Sequence, residues 1–523
     1  MSIKKINIVM TLFTAFGICF SGCKKNLELS NPNSQTADNF WESSDDALNG
    51  VTAAYNSLIL AYMRTAPVML DVRGDDVRSN SPWDQIYNSA RFSMSADNAI
   101  WCTWSYGIYY QGVFRANQVL DNVPAIENID PDIKNRILGQ AYFLRGLYFY
   151  HLVNKFGNVS LPVGAPKSMG DMLVGQSTVQ QGWDQVISDF KTAAGLLPVS
   201  YNDVTGTDRA QVGRATKGAA MAFLGKAYLF NKKYTEAAEQ FKAVMDLQIY
   251  SLVTNYRDNF TEQNENNSES IFEVQFNRDL GGKNAISEGQ ANPTAGDTKT
   301  SLRATTYGAR GFGWTDVQPT RSVLSEFLFE KTADGKDDPR CDATLFYNKP
   351  GVVLYGVLFS EKYASNPIDL NDVFCRKYQN DASGLPDEFE KRSGINERIM
   401  RYADVLLMYA ECLNELNQTP QAYDFIQQVR TRVGLPNLQI SKPSMSQDEM
   451  REQIAHERLL EFCLEGHRFD DIHRWGWLQD PEKLAMLKTR DLEFNSYKPG
   501  REFYLIPQGD IDNNPGFVQN SSY

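Results

Sequence analysis

The sequence predicts a mainly α-helical protein in which tetratricopeptide-like helix pairs form a superhelical scaffold, broken by a long irregular, loop-rich region with a few short strands. Two observations carry this prediction. The first is "GRATKGAAMAFLGKAYLFNKKYTEAAEQFKAVMDL", where small and apolar residues recur at helical spacing, break at Asn231 to Lys233, and resume from about Thr235. Leu224, Gly225 and Tyr228, then Ala237 and Phe241, fit the L-G-x-x-Y and A-x-x-x-F spacing of a tetratricopeptide unit, whose small residues let two helices approach closely. The second observation is the composition of residues 251–396, where "NENNSES" and "GGKNAISEGQANPTAGDTKT" concentrate Gly, Asn, Pro and Ser around a short strand-like "IFEVQF".

Taken in chain order, residues 1–22 read as a secretory leader. "MSIKK" is basic, "INIVMTLFTAFGICF" is apolar, and the small pair "SG" stands directly before Cys23. The apolar run is too short to span a bilayer comfortably. Small residues followed by cysteine resemble a bacterial lipobox, with Phe20 where leucine is usual, so Cys23 is the expected lipidation site and first mature residue. The alternative is an ordinary secreted protein cut near Gly22. Two or more acyl chains would hold the mature chain stably on a membrane surface.

Residues 23–250 should hold the first helices. "GQAYFLRGLYFYHLVNKFG" and "GWDQVISDFKTAAGLLP" look like the two halves of a split repeat, ahead of the pair at 213–247. Residues 251–396 are the loop-rich excursion, and residues 63–103 also read as irregular. Long loops held by a rigid scaffold are where binding sites concentrate. Residues 397–523 return to helices, with a degenerate repeat at "RYADVLLMYAECLNELNQTPQAYDFIQQVRTRVGL" whose small positions are Ala410 and Ala422. Such pairs need stacked neighbours to bury their faces.

Charge and cysteine usage exclude several classes. The net charge is −12, and loss of Lys4 and Lys5 with the leader makes the mature chain more acidic still. That argues against nucleic acid and against a polybasic membrane patch. Beyond Cys19 and Cys23 there remain Cys102, Cys341, Cys375, Cys412 and Cys463, widely spaced and without C-x-x-C. Cys412 and Cys463, which sit among apolar helical residues, are expected as small buried hydrophobes, and the set predicts no zinc site and no obligatory disulfide framework.

"LEGHRFDDIHRWG" invites a metal or acid–base reading. His467 and His473 are six residues apart, however, so on a helix they point to different faces, and no H-E-x-x-H is present. The acid pairs Asp75-Asp76 and Asp470-Asp471 could in principle serve a glycosidase dyad, but adjacent acids are usually solvated. There is no nucleophile elbow, P-loop or dinucleotide-binding glycine motif, since "GARGFG" lacks the spacing. No catalytic residue, resident metal or cofactor is expected.

Several blocks in fixed order then resemble one family. "NFWESSDDALNGVTAAYNSL", "YYQGVFRANQVLDNV", "GQAYFLRGLYFYHLVNKFGNVSLP", "RYADVLLMYAECLNE", "VRTRVGLP", "IAHERLLEFCLEGHRFDDIHRWG" and "YLIPQGDIDNNPGFVQN" are similar to the SusD-like (RagB/SusD) nutrient-uptake lipoproteins of the Gram-negative outer membrane. The chain departs from the pattern at its "QNSSY" end and in the basic "KK" after Cys23. The resemblance implies a non-enzymatic, lipid-anchored, cell-surface protein that binds oligosaccharide or polysaccharide. It also implies a partner, a SusC-like TonB-dependent transporter to which the glycan is delivered. Peptide uptake, a surface glycosidase and a lipid-anchored scaffold for protein partners are the alternatives. It further implies a framework of Glu457, Arg458, Glu461, Glu465, Arg468, Arg474 and Trp475 that is indifferent to the two histidines, so the cluster reads as charge pairs pinning a helix to the following turn.

A glycan site needs an aromatic platform flanked by donors and acceptors. Two stretches offer that mixture. "RGDDVRSNSPWDQIY" supplies Asp75, Asp76, Arg78, Asn80, Trp83 and Tyr87, and "YGARGFGWTD" supplies Tyr307, Arg310 and Trp314. Core packing is the competing reading for Trp314 and the preferred one for Trp101 and Trp104.

Overall fold

A computed structural model of the chain describes residues 40–280, 299–381 and 392–523. The leader, Cys23 and most of "GGKNAISEGQANPTAGDTKT" lie outside these residues. The first half is a run of helices. Helix α1 (Ser44–Tyr62) starts in a reciprocal capping box between Ser43 and Asp46. It is followed by α2 (Thr65–Asp71), β1 (Val77–Ser79), α3 (Asp84–Ala90) and α4 (Ile100–Asn122). Helix α5 (Pro131–Phe156) is capped by Asp130, takes Pro131 as its first residue, and stops at Gly157, whose φ of 74° suits glycine. Then come α6 (Val179–Leu196), α7 (Lys217–Phe230) and α8 (Tyr234–Asp246).

Close approach by small residues sets this packing. A Cβ on Gly112 of α4 would stand 2.3 Å from the Tyr148 ring of α5, and the Tyr148 hydroxyl donates to the Ala54 carbonyl of α1 at 2.6 Å. The split repeat is a true pair. Gly146 of α5 faces Phe190 of α6, and Arg145 forks onto Asp189 at 2.7 and 2.9 Å. In α7 and α8 a Cβ on Gly225 would meet the Phe241 ring at 2.6 Å, which is the contact the repeat pattern anticipates.

The second half interleaves short elements with longer helices. Strand β2 (Ser270–Val274) precedes α9 (Arg303–Tyr307), β3 (Val317–Pro319), α10 (Arg321–Phe329) and α11 (Pro339–Thr344). Next are β4 (Leu345–Phe346), β5 (Val353–Leu354), β6 (Val357–Leu358), α12 (Phe359–Lys362), α13 (Pro367–Asn371), β7 (Phe374–Cys375) and β8 (Glu397–Arg401). Helices α14 (Tyr402–Glu415), α15 (Thr419–Arg432), α16 (Leu438–Ser441), α17 (Gln447–Phe462), α18 (Arg468–Arg474), α19 (Pro481–Arg490) and α20 (Gln508–Asn513) complete the chain. Every described ladder has two strands: β1 with β3, β2 with β8, β4 with β7, and β5 with β6. The strand expected at "IFEVQF" is β2, and its Phe272 packs on Phe143 and Phe223 of α5 and α7, which ties the irregular region to the scaffold.

Residues 63–103 are more ordered than their sequence suggests. Helix α2 is buried along its whole length because "APVML" supplies apolar faces all round. The five described cysteines are buried and unpaired. Ala410 and Ala422 sit fully buried between α14 and α15.

The charge framework around "LEGHRFDDIHRWG" reaches much further than the following turn. Arg401 reaches Glu461 at 2.9 Å and Glu465 at 2.8 Å, and Arg340 pairs with Asp338 and Glu457 at 2.7 Å each. Arg458 bridges Asp404 and Asp471 at 2.7 Å, and Arg474 pairs with Glu411 and Asp471. These side chains are at most 7% exposed, so each guanidinium and carboxylate needs its partner. The two histidines part company. His467 Nδ1 lies 3.2 Å from the Lys226 ammonium, and burial together with that cation lowers it to about 4. His473 stacks on Phe469 and meets the edge of Phe503.

The expectation that adjacent acids are solvated is overturned. Asp470 takes Lys155 at 2.5 Å while Asp471 takes Arg458 and Arg474, and both are buried. Asp75 and Asp76 are buried too, because arginines from distant segments fold back onto this corner.

Candidate ligand-binding site

The β1–β3 ladder brings the two aromatic stretches together. It runs antiparallel with Val77 opposite Pro319, Arg78 opposite Gln318, and Ser79 opposite Val317. Asn80 N–H donates to the Asp316 carbonyl at 3.2 Å and Thr320 N–H to the Asp76 carbonyl at 2.9 Å, so both ends of the ladder are closed. Trp83 stands at the N-terminus of α3, with its N–H held by the Ser81 hydroxyl at 3.1 Å and its carbonyl accepting from Ile86 and Tyr87. Trp314 ends a tight loop. Gly308 and Gly313 touch so closely that a Cβ on Gly308 would sit 2.9 Å from the Gly313 Cα, and Trp314 N–H donates to the Thr305 carbonyl at 2.8 Å.

Between the two tryptophans lies a buried cation. The Arg64 guanidinium is 5.2 Å from the Trp83 ring centroid, 4.6 Å from that of Trp314 and 4.9 Å from that of Trp101. Its Nη2 donates to Asp316 at 3.2 Å. Arg64 is 1% exposed, whereas Trp83 is 48% and Trp314 38% exposed. One arginine thus fixes two half-open indoles from segments far apart in sequence. Burial raises the Asp316 carboxyl, opposed by the Ser81 and Arg64 hydrogen bonds.

Polar groups rim this platform. Arg78 donates to Asp372 at 2.8 Å and to Gln318 at 3.3 Å, and the Asn80 amide also meets Gln318. Arg310 donates to Asp369 at 2.7 Å. Tyr87, 45% exposed, stands one turn after Trp83 with the Arg91 guanidinium 3.7 Å over its ring. Six of the expected residues, Arg78, Asn80, Trp83, Tyr87, Arg310 and Trp314, therefore lie at the surface, on or beside the joined segments.

Three do not. Asp75 is buried in the grip of Arg468 and Arg490. Against its burial, those guanidiniums hold its carboxyl below the usual carboxylate range. Asp76 is buried and accepts from the Leu464 N–H at 3.2 Å, and burial with the neighbouring Asp71 and Asp75 pushes it up to about 7. The Tyr307 ring is fully buried and its hydroxyl donates to Asp71 at 2.7 Å. These side chains hold the wall behind the site and offer no surface to a ligand. Trp101 is buried and Trp104 packs against the core. The sequence reading missed Arg64, whose one signal is a lone cation in the apolar run "LILAYMRTAPVML".

The larger described cavities lie elsewhere. One of about 680 Å³ is lined by Glu326, His456, Trp477 and Arg490, and one of about 600 Å³ by Tyr110, Phe114, Leu173 and Phe517. An open aromatic platform flanked by polar groups suits a polymer that continues past the site. No described helix is long and apolar enough to cross a membrane.

Comparison with known proteins agrees with the architecture. Residues 268–523 match the model of the SusD family, and residues 25–229 match a model described as starch-binding and associating with the outer membrane. A SusD-like protein of Formosa agariphila is 26% identical, with 99% of this chain and 98% of that protein covered. One from Bacteroides ovatus is 24% identical over 95% of this chain and 91% of its own. Among solved structures, a SusD superfamily protein from Bacteroides vulgatus aligns with TM-score 0.76 at 28% identity, covering 92% of this chain and all of that one. A laminarin-binding SusD-like protein aligns with TM-score 0.73 at 25% identity, over the same shares.

Proposed function

The chain belongs to the SusD family, and from that premise we propose that it captures oligosaccharide or polysaccharide at the cell surface on the platform of Trp83 and Trp314. The observation that carries this reading is the shared Arg64. A buried guanidinium that fixes two indoles while leaving each more than a third exposed pre-organises a stacking surface for the apolar faces of sugar rings. Arg78, Asn80, Tyr87 and Arg310 then supply hydrogen bonds to hydroxyls. The laminarin-binding relative and the starch-binding description of one matching family model support a glycan as the ligand class.

In this reading Cys23 carries the lipid that holds the protein on the outer membrane, and the bound glycan passes to a SusC-like TonB-dependent transporter. The role is binding, not turnover. The experiment is isothermal titration of the unlipidated mature protein against a panel of soluble glycans and peptides, with chromatography of each ligand after incubation. Glycan binding without cleavage supports the proposal. Cleavage products would make the protein a glycosidase, and binding of peptides alone would move the substrate class.

A further inference from the structure

We propose, resting on the reading that this surface binds a glycan, that its ligand is polyanionic: a glycan bearing carboxylate or sulfate groups along its chain. The observation is how charge is layered beside the platform. Asp369 within α13 and Asp372 just after it hold Arg310 and Arg78 respectively. The acids are beneath and the cations above. The Arg310 side chain is 48% exposed against 6% for Asp369, and that of Arg78 is 39% exposed against 12% for Asp372. A ligand approaching from solvent meets guanidinium and not carboxylate.

These arginines also keep donors in reserve. Among the described residues Arg310 engages only its Nε, leaving both terminal amino groups unengaged on a half-exposed side chain. Arg78 engages only Nη2, and since its Nε is buried, Nη1 is the donor it keeps for a ligand. A pure tether would not need a half-exposed fork. Two further cations stand nearby. The Lys362 ammonium is 4.4 Å from the Phe312 ring, next to Gly311 at the tip of the loop that carries Arg310 and Trp314. Arg321 reaches the Asn371 carbonyl at the end of α13. Asp84 and Glu361 are the exposed acids nearest in sequence to this group.

In a chain of net charge −12, four cations against four acids make this region locally balanced, and in the two ion pairs it is the cation that faces an incoming anionic polymer. The chemistry is specific as well as attractive. A planar guanidinium presents paired N–H groups that match the two oxygens of a carboxylate, or two of the three terminal oxygens of a sulfate ester, while a neutral hydroxyl uses only one. Stacking on Trp83 and Trp314 would hold the ring, and Arg310 and Arg78 would read its acidic substituent.

The test is titration of the unlipidated mature protein with polygalacturonate, chondroitin sulfate and neutral laminarin, at low and at physiological salt. Wild type is compared with Arg310→Gln, Arg78→Gln and Trp83→Ala, each checked for unchanged melting. The expected result is binding of at least one anionic polymer that weakens with salt. It should fall by about ten-fold or more in Arg310→Gln, the loss of a charge-assisted hydrogen bond, and should also weaken in Trp83→Ala. Binding of laminarin that depends on Trp83 but ignores Arg310, Arg78 and salt would overturn this inference and leave the glycan-binding reading standing. Anionic binding indifferent to all three substitutions would overturn it as charge attraction elsewhere on the surface. Failure to bind either anionic polymer would overturn this inference, and failure to bind any glycan of the wider panel would overturn the glycan-binding reading as well.

Discussion

Asp75 and Arg468, 393 residues apart in sequence, form a buried two-point ion pair that locks the corner behind the aromatic platform onto the C-terminal helices. Arg490 adds a third contact to the same carboxylate at 3.1 Å. Removing one partner strands a buried charge. Asp75→Ala should therefore cost about 3–5 kcal/mol of stability, measured by equilibrium denaturation. A cost within the ~0.5 kcal/mol expected of a surface substitution would mean that Asp75 is not held as described.

The same pair marks the limit of what the sequence discloses. Helix pairs are legible locally, since Gly225 and Phe241, or Ala410 and Ala422, lie within one repeat and their spacing is the signal. The aromatic candidates Trp83 and Trp314 are legible as residue types in loop-like contexts. Their convergence is not, because it depends on the β1–β3 ladder and on Arg64, which no local periodicity announces. Likewise "GDD" looks like a solvated turn until Arg468 and Arg490 arrive from the other end of the chain. Long-range ion pairs carry no sequence period, so Asp75, Asp76 and Tyr307 read as surface groups when they are framework.

The helix pair α7–α8 gives a direct packing test. Gly225→Ala places a methyl against the Phe241 ring, and overpacking of that kind should cost about 1–3 kcal/mol. Thermal melting measures it. Unchanged stability would mean that the two helices are not in the close contact that the repeat pattern requires.

His456 should make stability depend on pH. It sits between Glu326 and Glu330 at 3.1 Å each, and although burial opposes its charge, those carboxylates raise it from 6.5 to about 9. A raised histidine contributes stability that is fully present below pH 6.5 and is lost as pH rises through about 9. Glu330 is the mirror case. Against burial, His456 and Arg430 lower it from 4.5 to about 2, so its contribution is present above pH 4.5 and is lost as pH falls through about 2. Denaturation midpoints should thus decline from pH 6.5 toward 9.5, and His456→Gln should flatten that decline. An equally steep decline in the variant would contradict the assignment.

Cys23 is the expected anchor. Cys23→Ser should leave a folded protein that no longer partitions with outer membranes, because acyl chains on that cysteine supply the attachment. Fractionation and immunoblotting of washed membranes decide it, and retention of the variant would count against lipidation at this residue.

The central claim is that Trp83 and Trp314, both set by Arg64, form one stacking platform. The most direct measurement is the affinity of a glycan bound by the wild type for Trp83→Ala and Trp314→Ala, titrated alongside melting temperature. Each variant should lose about 1–3 kcal/mol of binding, by analogy with stacking of planar rings on aromatic side chains, with melting nearly unchanged because both rings are partly exposed. Wild-type affinity in both variants would contradict the claim.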